Sequence, residues 1–264
     1  MPSEPALETR GLTIRFGGHV AVNDVSAAFH AGTLTAIVGP NGAGKTTYFN
    51  LISGQLPASS GQVLLDGRDV TRSGPAERTR AGMGRAFQLT NLFPNLTVHE
   101  NVRLAVQGKS AGAANIVRRW ATRRDWIERA DHYLAASNLA DKRDTPAVLL
   151  SHGDKRKLEV AIMMALEPSI FMFDEPTAGM SVDDVPVILD MIKKLKAQGD
   201  KTILLVEHKM DVVKSLADRI IVLHNGALVA DGEPRAVISS AVVQEAYLGV
   251  AAKPATAVPA GSHG

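Results

Sequence analysis

Apolar and polar residues alternate at Leu12, Ile14 and Phe16 and again at Val25, Ala27 and Phe29, the period of strands with one buried face. Gly17-Gly18 closes the first of these, and residues 62–65 before the Asp66-Gly67 turn read as a further short strand, so a small antiparallel sheet is expected. Three other runs, residues 34–38, 170–173 and 202–206, are almost wholly apolar, as in parallel strands covered on both faces. Residues 83–87 read as one more strand, and residues 219–223 and 227–230 flank Asn225-Gly226, a strong hairpin signal. Helical patterns occupy the intervals. They cover residues 46–53, a stretch opened by the Thr97/Glu100 capping box and running to Gln107, residues 113–137, a stretch capped by Ser151 and running to Leu166, and residues 184–198 before Gly199. Asp154 stands in capping-box position to Ser151. The result is an α/β chain: a mostly parallel sheet, an N-terminal antiparallel β-subdomain and an inserted helical portion over about residues 89–167.

The chemistry concentrates where the apolar runs end. Gly39, Pro40, Asn41, Gly42, Ala43, Gly44, Lys45, Thr46 and Thr47 follow the first run and match G-x-x-x-x-G-K-[ST]. Chance would supply those fixed positions in roughly 1 in 100 chains of this length. The strand before and the helix after lower that further. Backbone N–H groups freed by the glycines can curl around a phosphate, with the helix N-terminus adding positive potential. Lys45 would reach the terminal phosphates and the Thr46 hydroxyl would ligate magnesium. The run ending at Phe173 delivers Asp174 and Glu175, and Pro176 stops the strand there. Asp174 would hold the magnesium hydration shell, and Glu175 is placed to polarise an attacking water. The run ending at Val206 delivers Glu207 and His208 to the same edge, where His208 could steady the γ-phosphate and the water. Gln88, after the strand over 83–87, offers a neutral magnesium ligand. Phe16, at a strand end, is either core or an adenine-stacking ring.

Composition excludes more than it assigns. Lys plus Arg number 29 against 27 Asp plus Glu, and a net charge of +2 does not point to nucleic acid. There is no cysteine, so disulfides, Cys-based metal sites and thiol catalysis are out. The longest apolar stretch, residues 160–173, is broken by Glu167 and Pro168, and the N-terminus has no signal-peptide pattern. Residues 113–137 carry Arg118, Arg119, Arg123 and Arg124 around Trp120 and Trp126. Asp125, Glu128 and Asp131 dilute that charge, which favours a solvated helix with two aromatics on its apolar side over a phosphate- or partner-binding surface. From Ala251 the chain is rich in Ala, Pro and Gly, as a terminal tail would be; the tail is taken as residues 250–264.

The ordered set of Phe16, the loop 39–46, Gln88, Leu150-Ser-His-Gly-Asp154, Phe171-Met-Phe-Asp-Glu175 and His208 resembles the ATP-binding-cassette ATPases over about residues 6–249. The resemblance implies a phosphate-loop NTPase core with its β- and helical subdomains. Phe16 would stack on adenine, Gln88 would be the magnesium and switch residue, Glu175 the general base and His208 the switch histidine. It implies a head-to-tail pair of ATPase subunits, with Ser151 and Gly153 of one closing over the ATP of the other. Here His152 replaces the family's glycine and Asp154 its glutamine; Lys155, Arg156 and Lys157 follow and could offset the added carboxylate. Ser181 stands where many members carry Asp. Gly84-Arg-Ala-Phe-Gln88, residues 92–101 and Ala246-Tyr-Leu-Gly249 resemble the ATPase subunits of bacterial importers of branched-chain and other hydrophobic amino acids, or of urea and amides. The lipopolysaccharide-export ATPase has a similar ending. Partners implied are a second ATPase subunit, transmembrane permease subunits and, indirectly, a solute-binding protein, with the chain on the cytoplasmic face of the inner membrane. A soluble member of the family acting on DNA or ribosomes would carry paired cassettes, long coiled coils or zinc-binding cysteines, none of which this sequence has.

Overall fold

The structure is a computed structural model that describes residues 4–86, 92–109 and 124–248. The N-terminal alternation becomes β1 (Leu7–Phe16), β2 (His19–Phe29), β4 (Ser60–Leu65) and β5 (Arg68–Asp69), antiparallel in the order β2-β1-β4-β5. The apolar runs become β3 (Leu34–Val38), β7 (Ile170–Asp174) and β8 (Thr202–Val206). With β6 (Met83–Ala86), β9 (Arg219–His224) and β10 (Ala227–Gly232) they form a second sheet, β10-β9-β3-β8-β7-β6. Only the β9–β10 hairpin is antiparallel in it.

Alternation along β7 explains why the run is continuously apolar: Ile170 and Met172 face one core, Phe171 and Phe173 the other. The first core lies between the two sheets and is filled by α1 (Lys45–Ile52), through Tyr48, Phe49, Leu51 and Ile52. On the opposite face the sheet is covered by α6 (Val185–Lys196) and α7 (Met210–Leu216). A further cluster joins α3 (Val98–Lys109), α4 (Arg124–Ala136) and α5 (His152–Leu166) around Val102, Trp126, Leu134 and Leu158. Each such buried side chain contributes about 1.5–3 kcal/mol relative to exposure. Trp126 thus packs on the apolar side of its helix as expected, whereas Arg118, Arg119, Trp120 and Arg123 lie outside the described residues.

The sequence pattern does not anticipate α2 (Pro75–Arg80), α7, α8 (Pro234–Ile238) or α9 (Ala241–Leu248), of which all but α9 are shorter than two turns or just reach them. In α2, Arg78 is buried and donates to the backbone carbonyls of Leu51, Ile52, Ser73 and Thr71. It therefore closes the C-terminal end of α1, where carbonyls lack helical partners. The expected capping box at Thr97 is present, with the Glu100 carboxylate accepting from the Thr97 backbone at 2.8 Å. No helix among the described residues is long and apolar enough to cross a membrane.

A candidate nucleotide site at the sheet edge

Register brings the motifs to one edge. Val206 pairs with Ile37 on one side and with Asp174 on the other, so the loops after β3, β7 and β8 leave the sheet at the same level. In parallel sheets that carboxyl edge is where ligands bind.

A cavity of about 270 Å³ opens there, lined by residues 41–47, Glu175, His19 and Ala21. The loop is pinned from outside. A Cβ on Gly39, whose φ is 153°, would stand 2.2 Å from the Leu223 carbonyl oxygen of β9, so no other residue fits this approach. The Lys45 Nζ is turned back, donating to the carbonyls of Gly39 at 2.8 Å and Pro40 at 3.0 Å. Burial lowers its pKa, while the nearby carboxylates of Glu175 and Asp174 act in the opposite direction. A polyphosphate that displaces those carbonyls would meet a preformed ammonium and the N-terminus of α1.

Glu175 sits at φ 48°, a left-handed conformation that is costly for a residue with a side chain, by about 1–3 kcal/mol. Its N–H donates to the Val206 carbonyl at 2.9 Å, and this turn swings the carboxylate out of the strand direction and into the cavity. The Nδ1 of His208 lies 3.6 Å from its Oε1. Asp174 is partly buried, with its side chain 10% exposed, and that burial raises its pKa; Arg85, donating to Oδ2 at 3.0 Å, pulls in the other direction. Glu207 is fully buried and accepts from the Thr177 hydroxyl at 2.8 Å and the His208 N–H at 2.8 Å. It ties the loop after β7 to the loop after β8. The apolar run placed it, yet nothing in the sequence marks it as the tie. His19 is likewise an unanticipated member of the cavity wall. It is exposed and pairs with Phe16 across the β1–β2 turn. Phe16 is 50% exposed, which removes the core alternative. Gln88 lies outside the described residues.

Ser151 and Gly153 do not line this cavity. They begin α5, where the Ser151 hydroxyl accepts from the Asp154 N–H at 3.1 Å and donates to Asp154 Oδ2 at 2.8 Å. The carboxylate thus takes the side-chain hydrogen of the cap and not its backbone N–H. Asp154 is not a loose negative charge. It is buried and held by Lys142 and by Lys157 at 3.3 Å. Burial would raise its pKa, but hydrogen bonds from Lys142, Ser151 and Lys157 prevail and hold it below the usual carboxylate range. Of the three basic residues expected to offset Asp154, only Lys157 contacts it. Arg156 pairs with Glu159, and no contact to Asp154 is made by Lys155, because the helical period turns both away. Lys157 also bridges to Asp184 at 2.5 Å, and Asp184 accepts from the Ser181 hydroxyl at 2.7 Å. His152 packs at the turn after β7: a Cβ on Gly179 would stand 3.4 Å from its Nε2.

A family model described as ABC transporter matches residues 22–178. The chain is 37% identical over 254 residues to the high-affinity branched-chain amino acid transport ATP-binding protein BraF of Pseudomonas aeruginosa, covering 94% of this chain and 100% of that protein. Identity to the high-affinity branched-chain amino acid transport ATP-binding protein LivG of Escherichia coli is 35% over the same length and the same shares. Among solved structures, the ADP conformation of MJ1267, an ATP-binding cassette of an ABC transporter, superposes with a TM-score of 0.79 at 31% identity, covering 94% of this chain and 100% of that one. The dimeric post-hydrolysis state of the cassette MJ0796, bound to ADP and Pi, gives 0.75 at 26% identity, covering 87% of this chain and 99% of that one.

Proposed function

This chain belongs to the ABC transporter family, and we propose that its ATP hydrolysis energises uptake of branched-chain or other hydrophobic amino acids, or of urea or amides. The observation that carries the hydrolytic assignment is the Glu175 carboxylate, set on a left-handed backbone and lining the phosphate-loop cavity with His208 3.6 Å away. Glu175 takes the proton of the attacking water, and His208 holds that water and the γ-phosphate in line. Lys45 and the backbone N–H groups of residues 39–47 bind the phosphates, and Phe16, exposed at the far end of β1, stacks on adenine.

Magnesium fits the donors present. The Thr46 hydroxyl and the Asp174 carboxylate are hard oxygen ligands, and Gln88 is assigned the third place. When bound, the ion supplies charge neutralisation across the phosphates. Completion of the site requires a second ATPase subunit, whose Ser151 and Gly153 close over the γ-phosphate. The pair then works against transmembrane permease subunits at the cytoplasmic face of the inner membrane, fed by a solute-binding protein.

Replacing Glu175 by Gln tests the chemistry. ATP binding should stay within a few-fold of the parent while hydrolysis falls by about 10²–10⁴. Hydrolysis at the parent rate would remove Glu175 from the role of base. Cargo is tested by reconstituting the chain with its permease subunits and following uptake of labelled leucine, urea and a short amide. Export of lipid with no solute uptake would overturn the importer reading.

A further inference from the structure

Arg85 joins parts of the molecule that the motifs describe separately. It lies on β6 next to Met172 of β7, and its side chain is 8% exposed. Nη1 donates to Asn50 Oδ1 at 2.7 Å and to Ser53 Oγ at 2.6 Å, while Nη2 donates to Asp174 Oδ2 at 3.0 Å. The guanidinium lies 4.9 Å over the Phe49 ring. Phe49 and Asn50 belong to α1, the helix that carries the phosphate loop, and Ser53 ends it. A planar cation with directed donors therefore fixes the phosphate-loop helix relative to the strand that ends in Asp174.

The side chain of Asp174 is 10% exposed, and a carboxylate so buried needs a partner. Arg85 supplies it at Oδ2 only. No hydrogen bond to Oδ1 is seen among the described residues, so the contact fixes one oxygen of the carboxylate and leaves the other available. Magnesium demands near-ideal octahedral geometry, and residues that orient a ligand matter nearly as much as the ligand. We infer that Arg85 is a positioning residue that aligns Asp174 with the phosphate loop for magnesium-nucleotide binding. The inference rests on Asp174 being a magnesium residue, as proposed above.

The test is titration of mant-ADP with magnesium and with EDTA, using the parent, Arg85→Met, Arg85→Lys and Asn50→Ala. In EDTA all should bind within about twofold of the parent. The magnesium concentration that half-saturates the metal-dependent gain should rise about 10-fold or more in Arg85→Met. Arg85→Lys should fall between, since an ammonium can neutralise Asp174 but lacks the fork that reaches α1. A parent-like magnesium response in Arg85→Met overturns the inference. So does an equal loss with and without metal, which would make Arg85 a support of the whole pocket. If Arg85→Met does not fold, parent-like responses in both other variants overturn it. A parent that shows the magnesium effect but hydrolyses no ATP would sink the transport ATPase reading and leave this one standing.

Discussion

The phosphate-loop half of the site and the half that begins α5 are held by different physics. Around residues 39–47 the contacts are mostly backbone: Gly39 against Leu223, the Ala43 N–H on the Pro40 carbonyl, the Gly226 N–H on the Ala43 carbonyl, and Lys45 on its own loop. Around residues 151–154 they are side chains and charges: Ser151, Asp154, Lys142, Lys157 and Asp184. A backbone cradle is rigid before any ligand arrives, because it depends on chain path and on glycine. A charge network has alternatives. The hydrogen of the Ser151 hydroxyl is donated to Asp154, and in the paired arrangement proposed above it is the hydrogen that a γ-phosphate would require. The backbone of one half is in place before binding and only Lys45 changes partners, whereas in the pairing proposed above the other half would have to release Ser151 from Asp154.

The largest expected effect falls on the ready half. Lys45→Ala should reduce ATP hydrolysis by at least about 10²-fold and weaken nucleotide affinity with it. The midpoint of urea unfolding should hardly move, since the loop keeps its backbone contacts. A variant with parent-like affinity would show that the loop binds phosphate without its cation, and the comparison would lose its first term.

The network half should fail in the opposite way. Lys157→Met removes a side chain 9% exposed that bridges two carboxylates, Asp154 and Asp184. Breaking a buried pair destabilises by about 3–5 kcal/mol, and because Lys142 and Ser181 still hold those carboxylates we expect about 2 kcal/mol here. Nucleotide binding by the single subunit should be unchanged. Gly153→Ala acts on the same network more gently. A Cβ there would stand 2.4 Å from Asp184 Oδ2, and since that carboxylate can shift, about 1 kcal/mol is expected, with a lower rate of hydrolysis at high protein concentration where pairs form. If either variant lost nucleotide binding as severely as Lys45→Ala, the two halves would not be independent.

That difference also explains what could be read from the residues in order. Strands buried on both faces announce themselves by apolar runs, and their ends deliver Asp174, Glu175 and His208 to the edge without further information. The Gly39 loop is legible because its function is written in backbone geometry. The charge network is not, because the partners of Asp154 include Lys142 and, through Lys157, Asp184, which come together only when α5 packs beside the turn after β7. Local sequence points to Lys155, Arg156 and Lys157, of which Lys157 pairs with Asp154 while helical geometry turns the other two away. Arg78 and Arg85 show the same limit: nothing in the order of residues marks either as a donor to α1, yet Arg78 is buried and the Arg85 side chain is 8% exposed.

The smallest effect concerns the far end of α5 and tests whether charge dependence runs the length of the network half. Glu167 ends that helix in a left-handed conformation and holds Lys109 of α3 at 2.8 Å and Tyr133 of α4 at 2.8 Å, with Arg129 as a third partner. Burial would raise its pKa, but these partners prevail and bring it from 4.5 down to about 2. Because the folded-state value is depressed, the stabilisation is present above the unfolded value of 4.5 and is lost as pH falls through about 2. All three ion-pairing side chains are between 37% and 42% exposed, so screening holds the effect below about 1 kcal/mol. The urea midpoint of Glu167→Gln should therefore lie below that of the parent near neutral pH, and the gap should narrow as pH falls from about 4.5 toward 2. Added salt should narrow it as well. A gap that stays constant across that range would mean that Glu167 acts by the shape of its cap alone, and that the charge dependence of this half stops at the 151–184 network.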